Sequence, residues 1–299
     1  MSRVQVPAGL KTCDAVLKDA FAALGCEGWG GASKNGWSKQ SDFLRCPYRY
    51  YLKHELGMSA TAVADSSASQ DTGSFTHAVL AAHYARMLPD DRYPGFRANS
   101  PAPEQLLEAL RVAGAEPMAL AEAARLWNNY LDYWGEDGWQ PMGVEVLAGD
   151  SELHTSRYDL VALIEDGIHD GIWISEHKTA APSTDFEQWD LHGEVLGEAL
   201  SWQLSKHDEV FGPLSGICIN VLVKSRVPAY HRIWQRINPA LIRDFAQNRM
   251  FWQATMNHYR KLGRWPKSHF GCVARFDRCQ FWDHCCTLSD SFLTAERGR

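Results

Sequence analysis

No stretch of this 299-residue chain approaches the roughly 18 consecutive apolar residues of a membrane-crossing helix, so a membrane-spanning protein is not expected. The opening residues, MSRVQVPAGLKTCDAV, lack the apolar core of a secretory signal, which points to a reducing, cytoplasmic compartment. There, eight cysteines are expected as ligands or buried thiols, not disulfides. Tight CxxC pairs, the usual mark of a zinc site, are missing. Internal repeats and low-complexity tracts are missing too. An excess of positive charge is also lacking: the net charge of -6 taken alone speaks against a nucleic-acid partner.

What is present is a folding composition. The chain is 45% hydrophobic, carries twelve tryptophans and has a mean hydropathy of -0.33, enough for one large domain or two smaller ones. The charge is unevenly placed. Between Lys224 and Cys279 stand twelve Lys or Arg against Asp244 and Asp277, a net of +10, which leaves -16 for the rest. A basic strip beside an acidic region suits an enzyme that grips a phosphate backbone, although an ordinary solvated basic helix has the same signature.

Periodicity and turn signals divide the chain into four segments. Residues 1–40 hold a helix, DAVLKDAFAALG, and a glycine-rich turn, and form an N-terminal helical cap. Residues 41–142 are a helical region, with a helix from about Ser41, which is placed as its N-cap, and another in DTGSFTHAVLAAHYARML. ATAVADSSASQD between them reads as a loop. Residues 143–225 contain the strands GVEVLAG, YDLVALIE, GIWISEHKTA and GICINVLVK, with a helix, EVLGEALSWQLSKH, before the last. Residues 226–299 give a long amphipathic helix and a cysteine-bearing tail. The order β-β-β-α-β after helices predicts an α/β core with a central mixed sheet flanked by helices.

Three charged residues stand inside the strands: Asp159, Glu176 and Lys178. With Asp166-Gly167 as a two-residue hairpin turn, Asp159 falls opposite Ile174, and Glu176 and Lys178 share its face. Two carboxylates placed diagonally are hard oxygen ligands suited to Mg²⁺ or Mn²⁺. Such an ion activates water and neutralises charge on a phosphate, and a neighbouring lysine orients or deprotonates that water or stabilises the transition state. A charge cluster at a sheet edge is the plainer reading.

The Asp…Glu-x-Lys hairpin resembles the core of the PD-(D/E)xK nuclease superfamily, specifically its RecB-like exonuclease branch. GSFTHAVL resembles that branch's helical G-xxx-H motif, which implies His77 as a metal ligand with Asp159 and Glu176. GVEV places Glu145 on the preceding strand, and EALSWQL puts Gln203 where the family carries a glutamine for DNA positioning. The resemblance spans about residues 41–287 and implies a restriction-endonuclease-like core in which Asp159, Glu176, Lys178 and Gln203 are catalytic. Tyr158 stands where the family often has proline, and His207 where it often has tyrosine.

The tail reads C-x6-C-x5-C at Cys272, Cys279 and Cys285, with Cys286 adjacent, and Cys46 stands alone in CPYRYY. Zinc ligation and free thiols are both open on spacing alone. The same branch includes iron–sulfur nucleases of the AddB type and of CRISPR adaptation, with one cysteine before the core in a C-P-x-x-[YF] context and three after it. The resemblance therefore implies a [4Fe–4S] cluster on Cys46, Cys272, Cys279 and Cys285, a C-terminal clasp, with Cys286 as a stand-in for Cys285. Cys13, Cys26 and Cys218 read as plain, the last as core.

The expected function is a Mg²⁺- or Mn²⁺-dependent DNA exonuclease with a structural cluster, acting on single-stranded DNA or free ends in recombination, repair or processing. Its protein partners, of recombination or CRISPR type, are not legible. The alternatives are a catalytically silent DNA-binding or assembly module of the same fold, and a zinc-stabilised nuclease. Aromatics within the basic strip (Trp234, Phe251, Trp252, Tyr259, Trp265) are expected to stack on bases or to fill the core.

Overall fold

Five strands lie side by side in sequence order: β1 (Trp139–Asp150), β2 (His154–Ile164), β3 (Gly171–Ala180), β4 (Leu214–Val223) and β5 (Ala229–Arg236). All neighbours are antiparallel except β3 and β4, so the sheet is mixed, as expected. This is a computed structural model, and it describes residues 11–26, 33–58, 67–89, 101–135, 138–181, 192–227, 229–268, 271–272 and 278–285. Strand β5 is not anticipated by the sequence. Its AYHRIWQR is half polar, which suits a strand with only one neighbour.

The helices are α1 (Cys13–Ala23), α2 (Trp37–Arg45), α3 (Pro47–Tyr50), α4 (Ser67–Ala85), α5 (Pro103–Ala113), α6 (Pro117–Trp134), α7 (Gly193–Leu204) and α8 (Pro239–Leu262). Their ends follow local chemistry. Thr12 caps α1 by accepting from Ala15 N, and Pro103 and Pro117 open α5 and α6. Two expectations shift. Helix α2 begins at Trp37, and Ser41 lies inside it, its hydroxyl donating to Ser38 O at 2.9 Å, so it caps nothing. Residues 67–71 of the anticipated loop are already helical, as the first turn of α4.

The chain divides into two compact units, one from Met1–Gly36 and Asp65–Arg249, the other from Trp37–Ala64 and Met250–Arg299. This partition cuts across the sequence segments, because contacts group the sheet with α1 and α4–α6, and residues 37–64 with the tail. In the first unit, Phe75 and Val79 of α4, Leu106 of α5, and Leu126 and Tyr130 of α6 meet Leu160, Trp173, Cys218 and Leu222 of the sheet in one core. Helix α7 packs on β1, β2 and β4. There Tyr158, Trp202, His207 and Phe211 form a separate aromatic layer.

In the second unit Cys46 is extended (φ -164°, ψ 112°) and Pro47 starts α3, which continues as a π-helical turn over Tyr51–Glu55. Phe43, Tyr50, Met256 and Trp265 form one small core, and Leu52, Cys279 and Phe281 another. Buried Asp42 accepts from Arg49 Nε at 2.7 Å, Lys53 Nζ at 2.9 Å and lies 2.9 Å from His54 Nε2.

Candidate active site

The hairpin joining β2 and β3 is wider than a two-residue turn. Asp166 Oδ1 accepts from Ile168 N and His169 N at 2.8 and 2.6 Å, and Asp170 Oδ1 from Gly167 N at 2.7 Å. Those side-chain bonds hold a six-residue connection from 165 to 170, and Gly171 follows at φ 124°. Val161 therefore pairs with Ile174 and Leu160 with Ser175, a shift of two residues from the expected register. Because the shift is even, the sharing of faces survives. One step beyond the last pair, Asp159 stands across from Glu176 instead of diagonal to it.

At that step the sheet opens. Pairing of β2 with β3 ends at Leu160–Ser175, whereas β3 stays paired with β4 to Ala180 and β2 stays paired with β1 to His154. The missing ladder bond is supplied by a side chain, since Asp159 Oδ2 accepts from His177 N at 2.8 Å. On the other side Glu145 has φ 54°, unusual for a residue with a side chain. It falls between the pairs Val144–Leu160 and Val146–Tyr158. Leu160 lies in the helical core, yet Tyr158, two residues before, donates to Glu198 O of α7 at 3.2 Å. Strict alternation would put both on one face, so the pleat is broken at Glu145 and Asp159. Glu145, Asp159 and Glu176 thus occupy one level of three adjacent strands.

Each of these buried carboxylates has a cation. Glu145 Oε2 is 2.7 Å from Arg157 Nε, Asp159 Oδ2 is 3.3 Å from His77 Nδ1, and Glu176 Oε1 is 2.6 Å from Lys178 Nζ. Burial pushes Glu145 up to about 8, with Arg157 opposing and Asp159 adding. Burial and then the Asp159 charge push Glu176 up to about 7 against the pull of Lys178. Asp159 is held well below the carboxylate range, its burial outweighed by His77, and His77 is raised by Asp159 against its own burial. His77 comes from α4, which approaches β3 closely at Gly73, where a Cβ would sit 3.1 Å from Thr179 Oγ1. Among the described residues, no three His, Cys, Asp or Glu side chains are already gathered as the ligands of one metal ion.

Two residues not read from the sequence complete the group. Glu194 Oε1 is 2.9 Å from Lys178 Nζ, and Glu198 lies buried beside Glu176. Burial is the main cause that raises the Glu198 carboxyl far above its usual range, and Glu176 adds to it. Two glutamates four apart on a mainly apolar helix were the available signal, since that spacing places both on one face. Gln203 is exposed, five residues past Glu198 and on a different face of α7. Against its burial, Lys178 is held charged by Glu176 and Glu194.

In the second unit the cysteines of the tail and of CPYRYY come together. Ser268 N donates to Cys46 Sγ at 3.4 Å, Cys272 Sγ donates to Ser268 O at 3.4 Å, and Cys279 N donates to Cys272 O at 2.9 Å. Cys285 packs with Cys279, Leu52 and Tyr48. Burial raises the Cys285 thiol, Lys267 opposes, and the charges of Cys279, Cys272 and Cys46 add. Arg49 Nη1 lies 4.0 Å from Cys279 Sγ. Cys286 lies outside the described residues. None of the seven described cysteines is joined to another of them in a disulfide.

Much of the basic strip has structural work. Arg232 lies 3.8 Å from the ring centres of both Trp134 and Trp139, and Arg249 is fully buried, donating to Leu153 O. Arg260 pairs with Glu55 at 2.6 Å. Of the five aromatics considered for stacking on bases, Phe251 alone is largely exposed, at 69%. Trp252, Tyr259 and Trp265 belong to the small aromatic core, and Trp234 packs on Trp173. No described helix is long and apolar enough to cross a membrane.

A family model described as the PD-(D/E)XK nuclease superfamily matches residues 37–206. Among solved structures, that of a presumed exonuclease from Eubacterium rectale is similar at 12% identity and a TM-score of 0.45, covering 87% of this chain and 94% of that one. No curated protein sequence matches the chain.

Proposed function

The chain belongs to the PD-(D/E)XK nuclease superfamily, and on that footing we propose that it is a divalent-metal-dependent DNA exonuclease of the RecB-like branch with a structural [4Fe–4S] cluster. The observation that carries this reading is the level of three carboxylates, Glu145, Asp159 and Glu176, at the place where β2 and β3 part. The donor set fits a dication: hard oxygens, buried, two of them pushed up in pKa by burial and by the charge of Asp159. Asp159 and Glu176 would hold it, with His77. A Mg²⁺ or Mn²⁺ ion there supplies activation of water and neutralisation of phosphate charge.

The chain's own groups do the rest. Lys178, held charged by two carboxylates, serves as a donor to a phosphate oxygen and not as a base. Arg157 keeps Glu145 in place beside Asp159. The cluster reading is supported by the placement of the four cysteines in one unit, by the apolar and aromatic wall there (Leu52, Phe281, Tyr48, Tyr51) and by the donors Ser268 N and Arg49. Recombination or CRISPR-type adaptation, with protein partners, is the setting that this class of nuclease suggests.

The test is degradation of end-labelled single-stranded, duplex and circular DNA with Mn²⁺. Loss of activity in Asp159→Ala is expected, with circular DNA spared. Equal activity in wild type and Asp159→Ala sinks the catalytic assignment. Anaerobically purified protein should absorb broadly near about 400 nm and lose iron in Cys279→Ala. A colourless protein with stoichiometric zinc removes the cluster.

A further inference from the structure

We propose that Glu194 is a positioning residue, which together with Glu176 pins the Lys178 ammonium at the metal-facing edge of β3. The proposal rests on the nuclease reading given above and adds a residue to it. Lysine carries its charge on a flexible four-carbon stem, so a single partner leaves the amine free to swing. Here Lys178 Nζ bridges Glu176 Oε1 at 2.6 Å and Glu194 Oε1 at 2.9 Å, from a strand and from a helix. Two anchors on separate elements define a point, where one would define only an arc.

The anchor on α7 is itself fixed. Gly197 lets the helix lie so close to β2 that a Cβ would stand 2.4 Å from His154 Nε2. Tyr158 of β2 holds the Glu198 carbonyl at 3.2 Å, and its hydroxyl lies 3.1 Å from Ser201 Oγ. One turn after Glu194, the Glu198 side chain backs Glu176, with its Oε2 buried and bonded to nothing among the described residues. Helix α7 thus sets both the lysine and the glutamate with which it pairs. The remaining oxygen of Glu194 is 3.9 Å from His192 Nδ1. Glu194 also shares the lysine's charge with Glu176, which leaves part of the Glu176 carboxylate free for a cation.

The test compares wild type, Glu194→Gln, which keeps an acceptor, and Glu194→Leu, which does not. Acetylation of Lys178 by acetic anhydride, read by mass spectrometry, should rise about threefold or more in Glu194→Leu as the amine is released, and less in Glu194→Gln. On end-labelled single-stranded DNA with Mn²⁺, kcat should fall about 100-fold in Glu194→Leu and about tenfold in Glu194→Gln, with KM within about twofold. An unchanged acetylation rate overturns the proposal, whatever happens to activity. A raised KM at unchanged kcat also overturns it, by making Glu194 a DNA contact. Mn²⁺ binding at least about tenfold weaker in Glu194→Gln does the same, by making it a ligand. A wild type without nuclease activity sinks the nuclease reading alone, and the acetylation comparison still decides whether Glu194 holds Lys178.

Discussion

Acidification from pH 7 to pH 5 should weaken this fold through one imidazole. His154 opens β2 with no exposed surface, its ring edge-on to Phe245 at 5.8 Å and pressed by Gly197 of α7. Neither ring nitrogen has a hydrogen-bond partner among the described residues. Burial first, and then the charge of Arg249, holds its pKa down at about 3. The unfolded chain should titrate near the ordinary value of about 6.5. The folded pKa is the depressed one, so the unfolded state takes up the proton first. His154 therefore costs nothing above about 6.5, and stability drains away as the pH falls from there towards about 3. The slope approaches about 1.4 kcal/mol per pH unit, which integrates to about 2 kcal/mol between pH 7 and pH 5. Urea unfolding of wild type and His154→Gln at both pH values isolates this contribution, because every other titrating group is common to both. Wild type should lose about 2 kcal/mol more than the variant. Equal losses would refute the reasoning.

Asp42→Ala leaves Arg49, Lys53 and His54 without their shared carboxylate, and should cost about 3–5 kcal/mol in the second unit. A thermal melt checks it, and an unchanged Tm would show that the three cations find other partners. Gly73→Ala sets a methyl 3.1 Å from Thr179 Oγ1 and should push α4, with His77, off β3. Stability should drop by about 1–2 kcal/mol and nuclease rate with it. The double variant Gly73→Ala/Thr179→Ala should recover most of both, and a failure to recover would place the fault elsewhere.

The sheet was legible because its strands are β-branched and bounded by turn residues, and Asp159, Glu176 and Lys178 stood out as charges inside such runs. The register was not, because Asp166 and Asp170 bind backbone N–H groups two and three residues away and lengthen the turn. Side-chain bonding of that kind leaves no trace in an alternation pattern. Glu194 and Glu198 escaped for another reason: on a helix, a glutamate is ordinary unless one knows what faces it. The motif reading favoured Gln203, in the same helix but turned to solvent. Strand β5 was hidden by its polar residues, and the basic strip overstated its free charge, since Arg232 and Arg249 are held by tryptophans and carbonyls.

The parting of β2 from β3 explains why ionisable residues sit where they do. In a continued antiparallel ladder, His177 N would bond to the β2 backbone, and Asp159 and Glu176 would be packed side chains of a closed sheet. Instead the Asp159 carboxylate takes that N–H itself, so one oxygen is spent on keeping the strand end in place. An unpaired buried N–H is costly, and its satisfaction by a side chain makes the opening tolerable. Asp159→Ala would then do two things at once: remove a carboxylate and orphan His177 N. Asp159→Asn keeps an acceptor for that N–H while removing the charge. The two should differ in stability by about 1–3 kcal/mol while being equally inactive. Urea denaturation beside the DNA assay reads both quantities. Equal stability of the two would mean that the carboxylate does not hold the strands at their parting.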